Sequence, residues 1–121
     1  MIQEDRLIGL FKDLCQINAP ALGEKHVVAF VKKLLIDDGF EVHEDGAGRE
    51  IGGNSNNLIV WLRGNLPNAP SVFLSAHFDT VEPTVGLKIE ERDGVFYSDG
   101  STILGADDKG GMAPAIIIER V

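Results

Sequence analysis

The sequence predicts a mixed α/β fold in which helices flank a sheet. Two helical patterns open the chain, apolar runs of strand length follow them, and an apolar segment of helical length comes last. The 121 residues allow one domain or part of one, and 44% apolar with 25% charged residues is ordinary for a globular protein. These values exclude a disordered chain, a collagen-like repeat and a coiled coil.

The first two elements are predicted as amphipathic helices over residues 3–16 and 23–38. In both, apolar residues recur at the i, i+3, i+4, i+7 spacing of one helix face. The stretch Asn18-Ala19-Pro20 ends the first helix, because the residue before a proline is disfavoured in the α region. Gly39 is placed to cap the second helix.

Three stretches in the middle of the chain have β patterns. Residues 40–43 alternate, whereas residues 58–62 and 71–76 are continuous apolar runs that predict strands buried on both faces. A turn at residues 92–94 lies between two short β-prone runs and predicts a hairpin over residues 86–98.

The last segment, residues 112–121, is predicted as a buried helix. Pro114 has no N–H group and is tolerated best near a helix start, so the helix is expected to begin near residues 110–112. Asp107 and Asp108 then lie just ahead of the positive end of the helix, which favours charged carboxylates.

The charge balance narrows the classes of partner. Lys and Arg number 11 and Asp and Glu 19, for a net charge of −8, and an acidic chain without a basic stripe is a poor candidate for nucleic acid or an anionic membrane. No apolar run approaches the roughly 20 residues of a membrane span, and acids stand where a secretory signal carries basic residues. Cys15 is the single cysteine, which excludes an internal disulfide. We therefore expect a cytoplasmic protein.

His77 and Asp79 directly follow the apolar run at residues 71–76. Residues two apart share one face of an extended backbone, and a metal-ligating histidine commonly donates its other N–H to a carboxylate. The carboxyl ends of strands are also where open α/β sheets bind ligands. The alternative is a structural His–Asp pair, since short motifs often arise by chance.

Asp107 and Asp108 lie in the glycine-rich stretch at residues 105–111. Adjacent carboxylates in such a loop can bridge divalent metals, and the alternative is an acidic helix cap. The spacing does not fit a calcium loop. A second glycine-rich stretch, at residues 46–53, lacks the spacing and the following helix of a dinucleotide loop, and residues 45–56 are assigned to a surface loop.

Taken together, two motifs resemble those of the co-catalytic zinc peptidase family, which includes peptidase T, carboxypeptidase G and aminoacylase. They read SAHFDTV at residues 75–81 and DGSTILGADDKGG at residues 99–111. The second motif looks most like the tripeptide aminopeptidase branch. The resemblance covers the whole chain but only the first third of a typical family member.

The resemblance implies roles for three residues. His77 would ligate one zinc, Asp79 would act in the catalytic site by orienting that imidazole, and Asp107 would bridge two zinc (or cobalt) ions. In the family the peptide bond between Asp107 and Asp108 is often cis. In the family a Glu-Glu pair that supplies the general base, further ligands, and a lid domain that commonly mediates homodimerisation lie further along the chain, beyond the part that residues 1–121 match.

The resemblance therefore implies that residues 1–121 are the N-terminal portion of a metallopeptidase catalytic domain whose substrate is a small peptide. A related amidohydrolase acting on N-acyl amino acids and a non-catalytic acidic α/β binding module stay open as alternatives. A catalytic zinc needs about three protein ligands plus water, so the chain alone is expected to bind metal weakly or not at all and to be inactive. We expect His77 and Asp107 to converge at the carboxyl edge of one sheet, within roughly 3–6 Å of each other and facing one cavity.

Overall fold

The computed structural model describes residues 3–118, which form helices and two small antiparallel sheets. In chain order the elements are α1 (Glu4–Gln16), α2 (Lys25–Asp37), β1 (Val42–Glu44), α3 (Ala47–Ile51), β2 (Leu58–Val60), β3 (Ile89–Arg92), β4 (Val95–Ser98) and α4 (Ala106–Ile118). Strand β1 pairs with β2, and β3 pairs with β4. The predicted mixed α/β class is confirmed.

The core lies between α1, α2 and α4. Both predicted N-terminal helices are confirmed and begin and end within two residues of the expected bounds. Their apolar faces meet α4 in one cluster, whose buried members are Leu10, Leu14, Ala19, Val27, Val31, Leu35, Met112, Ala113, Ile116 and Ile117. In the described part of the chain, no helix has both the length and the apolar character needed to cross a membrane.

The predicted hairpin is confirmed as β3 and β4. Its two turn residues, Asp93 and Gly94, both have positive φ angles, of 53° and 76°. This is the backbone of the tight turn that matches strand twist, and an Asp-Gly pair adopts it at low cost. The hairpin contacts α1 through Phe96, whose ring centroid lies 5.5 Å from that of Phe11.

The prediction of two strands buried on both faces, at residues 58–62 and 71–76, is wrong in the length of the strands and in their burial. Only Leu58–Val60 is a strand, and it is half-buried. Residues 71–76 pair with no strand in the described part, and Trp61, Val72 and Phe73 are 82%, 83% and 85% exposed. An apolar run is buried only where other elements cover it, and nothing within residues 3–118 covers this one. We call residues 61–75, all of which are exposed, the exposed segment.

The loop predicted at residues 45–56 contains the short helix α3. Side chains from both flanks hold its first turn: Asp45 Oδ1 accepts the Ala47 N–H at 3.1 Å, and Asn56 Oδ1 accepts the Gly48 N–H at 3.0 Å. Gly48 is required here, since a Cβ atom on it would lie 1.6 Å from the carbonyl oxygen of Ser55. These bonds join residues across the segment, so composition alone does not reveal them.

Helix α4 is interrupted at its start. Asp107 and Asp108 have non-helical backbone angles, and regular helix begins directly after them, slightly earlier than predicted. Pro114 consequently lies inside the helix rather than in its first turn. The carbonyl that loses its partner belongs to Gly110, an exposed residue that water can reach. The predicted helix positions 119–121 lie outside the described residues.

Candidate metal centre

His77 and Asp107 meet where the chain leaves the exposed segment and approaches α4. His77 Nε2 lies 3.0 Å from Asp107 Oδ1, although the residues are 30 positions apart. The predicted approach of the two side chains is confirmed. The predicted setting at the edge of a sheet is wrong, because residues 71–76 belong to no sheet within the described part.

Asp79 holds the other side of the imidazole. His77 Nδ1 lies 2.9 Å from the backbone oxygen of Asp79 and 3.2 Å from its Oδ1. Both oxygens accept hydrogen bonds and neither donates one in its ionised form, so the hydrogen belongs on Nδ1. The backbone oxygen and the carboxylate of Asp79 therefore both orient the imidazole ring.

Both ring nitrogens of His77 thus face oxygens that only accept. A neutral imidazole has one N–H, and once Nδ1 carries it, the lone pair on Nε2 points at the Asp107 carboxylate. A cation between them, either a second proton or a metal ion, removes this conflict. Desolvation by burial acts to lower the pKa of His77, but the hydrogen bond that His77 donates to Asp107 and the charge of Asp79 outweigh it, and the pKa is raised.

The pair opens onto a cavity of about 520 Å³, whose lining residues are His77, Asp79, Val81, Ile103, Gly105, Ala106 and Asp107. The His77 side chain is 50% exposed and that of Asp107 is 93% exposed. Both groups are therefore accessible to an ion or a small molecule from solvent.

The donor atoms fit part of a zinc site. Imidazole nitrogen and carboxylate oxygen are ligands that zinc takes from proteins, and two tetrahedral ligands with bonds of about 2.0–2.2 Å stand about 3.3–3.6 Å apart. The observed 3.0 Å is close to that separation. No group of three or more His, Cys, Asp or Glu side chains suited to a metal occurs within residues 3–118. The described residues thus bring two ligands together but do not form a complete zinc site.

Asp107 and Asp108 have different roles: one is placed as a metal ligand, and the other is a helix cap. Asp107 faces His77, as a metal ligand would. Asp108 instead accepts the Gly111 N–H at 3.1 Å through Oδ1 and caps the regular part of α4. The peptide bond between them is cis, as the resemblance implied.

The end of α1 supports the chain that carries His77. The Ala19 carbonyl accepts the Thr80 N–H at 2.8 Å, and Asn18 Oδ1 accepts the Thr84 N–H at 2.8 Å. Both threonines are buried, and Gly105 packs on them so closely that a Cβ atom would lie 3.1 Å from each methyl group. Asn18, directly ahead of Ala-Pro at a helix end, is the one sequence signal that could have indicated this support.

The same end of α1 also holds the chain that carries Asp107. Lys109 is fully buried, and its Nζ donates to the carbonyl of Leu14 at 3.1 Å and to that of Ile17 at 3.5 Å. Desolvation by this burial lowers the pKa of Lys109. No sequence pattern marks the residue, because lysines are almost always exposed.

No protein-family model matches the chain. Aminopeptidase PepT from Bacillus cereus superposes with a TM-score of 0.91 at 35% identity, over 98% of this chain and 32% of that one. A tripeptidase from Staphylococcus aureus gives a TM-score of 0.90 at 36% identity, over 99% and 32%. An uncharacterized protein of Bacillus subtilis, YqjE, is 36% identical over 113 residues, which are 93% of this chain and 30% of that protein. The chain thus spans about a third of the length of these relatives, and the predicted resemblance to peptidase T is confirmed.

Proposed function

We propose that this chain, which superposes on about one third of the PepT aminopeptidase and of the tripeptidase at 35–36% identity, supplies His77 and Asp107 as metal ligands to a zinc- or cobalt-dependent peptidase that cleaves short peptides. The observation that carries the proposal is the 3.0 Å approach of His77 Nε2 to Asp107 Oδ1, with a second acceptor at Nδ1. When bound, the metal would activate water and polarise the scissile carbonyl.

Each residue has one task in this proposal. His77 directs the lone pair of Nε2 at the metal. Asp79 keeps the proton on Nδ1, through contacts of 2.9 and 3.2 Å, and so fixes both the tautomer and the ring plane. Asp107 supplies an exposed carboxylate whose two oxygens can reach two ions.

The proposal assigns the remaining ligands and the general base to polypeptide outside residues 1–121. The support is that two ligands are gathered within residues 3–118 where a catalytic zinc needs about three, and that the relatives are about three times as long. In this proposal the chain is the N-terminal portion of a cytoplasmic catalytic domain. A separate lid domain closes over the substrate and forms the homodimer contact.

The substrate class follows from the solved neighbours. One is described as an aminopeptidase and the other as a tripeptidase. A tripeptide is therefore a better candidate than an N-acyl amino acid, and the superposition on peptidases favours an enzyme over a non-catalytic binding module.

A chimera tests the activity. Residues 1–121 would replace the matching third of the Bacillus cereus aminopeptidase, and tripeptide hydrolysis would be measured with zinc or cobalt. We expect an active chimera that H77A inactivates and that D79N slows by about 10–100-fold, the usual cost of removing a group that orients a metal ligand. H26A is the matched control, because His26 is exposed on α2.

An active H77A chimera would show that His77 is not a metal ligand. A folded chimera that binds zinc but does not cleave tripeptides would contradict the assignment of this chain to a tripeptide-cleaving enzyme. The unmodified 121-residue chain should take up no tight pair of zinc ions in a calorimetric titration and should not cleave tripeptides. Two tightly bound ions per chain would overturn the claim that the site is incomplete.

A further inference from the structure

We infer that Lys109 is a positioning residue for the metal site: its buried ammonium ties the loop of Asp107 to the end of α1 and thereby sets the distance from Asp107 to His77. The inference rests on the proposed function, since it assigns Lys109 a role toward the metal ligands. It adds a residue that touches neither the metal nor the substrate.

The surroundings of Lys109 show what holds it. A fully buried ammonium is costly unless its hydrogens are bonded, and here Nζ donates to the carbonyls of Leu14 and Ile17. Leu14 lies in the last turn of α1, at the negative end of the helix dipole, and its carbonyl accepts the Ile17 N–H at 3.2 Å as well as Lys109 Nζ. The lysine thus satisfies the end of one helix from the start of another.

Asp107 lies between two anchors of its loop, since Gly105 packs on Thr80 and Thr84 before it and Lys109 is bonded to residues 14 and 17 after it. It is 93% exposed, so packing does not fix it, and its backbone lies outside the regular part of α4. Lys109 follows it by two residues and is the nearest fully buried side chain after it. A shift of Lys109 would move the carboxylate relative to His77.

The segments that carry His77 and Asp107 are both hydrogen-bonded to residues 14–19, at the end of α1 and just after it. The His77 half is fixed by the Thr80 N–H on the carbonyl of Ala19, and the Asp107 half by Lys109 on the carbonyls of Leu14 and Ile17. The end of α1 is therefore the common reference that brings the two ligands into register.

Lys109→Met is the direct test, since methionine has similar length and no N–H donor. In the zinc-free chain with labelled histidine, NMR should show shifted or broadened signals for the His77 ring and for the amides of residues 106–108. The exposed His26 and His43 rings should keep their signals. In the chimera described above, where the remaining ligands are supplied, the zinc dissociation constant should rise by about tenfold or more, as for other groups that position metal ligands.

Two further variants separate positioning from general stability. K33M removes a lysine that is exposed on α2 and should change neither readout. K109Q keeps two N–H donors on a shorter side chain, and its loss of zinc affinity should be smaller than that of K109M. If K109M does not fold, the same comparison is made between K109Q and the unmodified chain.

The inference is overturned if K109M, or K109Q where K109M is unfolded, leaves the His77 ring and the 106–108 amides unchanged without zinc. A loss of zinc affinity that only matches the unfolded fraction would overturn it as well. The proposed function fails separately, if H77A and D107N leave zinc binding unchanged. In that case the zinc-free NMR comparison still decides whether Lys109 sets the geometry of the pair.

Discussion

The helical core and the exposed segment are both rich in apolar residues and yet have opposite burial. Leu14 and Val27 of the core have no exposed surface, whereas Val72 and Phe73 are 83% and 85% exposed. In the core, each amphipathic helix finds its partners on the other helices of the same chain. The exposed segment has no such partner within residues 3–118. Hydropathy therefore shows that a segment can be buried, and the elements that pack against the segment determine whether it is buried.

The largest expected effect comes from shortening one apolar side chain in the core and one in the exposed segment. Leu14→Ala should lower the free energy of unfolding by about 2–5 kcal/mol, because it opens a cavity among helices that cannot fully collapse. Phe73→Ala should change it by at most about 0.5 kcal/mol, as for most surface substitutions. Guanidinium unfolding followed by far-UV circular dichroism measures both. Equal losses would mean that Phe73 is buried in solution and would erase the contrast.

A smaller effect is expected where the core supports the chain of His77. Asn18→Ala removes the acceptor of the Thr84 N–H, and a buried donor left without a partner costs about 1–3 kcal/mol. Hydrogen exchange at the Thr84 amide should accelerate together with the loss of stability. Asn65→Ala in the exposed segment is the control and should leave both unchanged. Continued protection of Thr84 in N18A would show that Asn18 is not its support.

The smallest effect lies at the edge of the core, where α2 meets β1. Glu44 accepts Lys32 Nζ at 2.6 Å and Asn56 Nδ2 at 3.2 Å, and these bonds hold the pKa of Glu44 below its ordinary 4.5. As the pH falls below 4.5, the unfolded chain takes up this proton before the folded chain does, so this part of the stability is lost in that range.

Glu44→Gln should therefore flatten the pH dependence of the urea midpoint below 4.5 and leave its shape above 4.5 unchanged. Asp93→Asn, in the hairpin turn away from this pair, is the matched control. An unaltered profile in E44Q would show that the Glu44 contacts contribute nothing measurable to folding.

The elements that the sequence predicts well are those whose signal is local. The helices follow from a spacing within one segment, and the hairpin follows from Asp93 and Gly94 in its turn. The approach of His77 to Asp107 was expected because two motifs at their separation resembled those of a known family. Each of these signals requires no knowledge of what packs against the segment.

The errors and omissions concern partners that are distant in the sequence. Residues 71–76 have the composition of an interior strand, but pairing depends on strands that composition does not specify. Lys109 would be placed in solvent by its chemistry alone, yet it is buried, and the carbonyls of Leu14 in α1 and of Ile17 just after it accept its hydrogens. Asn18 is predicted only to end a helix, and its amide oxygen binds a residue 66 positions away.

The bond between Lys109 and Leu14 also has a consequence for biosynthesis, because it joins residues 95 positions apart. A ribosome that adds about 5–20 residues per second makes the lysine roughly 5–20 s after the carbonyl it will meet. During that interval the apolar face of α1 lacks α4, the helix against which it packs. His77 therefore leaves the ribosome before Asp107 and Lys109, and the pair of ligands forms only when α4 reaches α1.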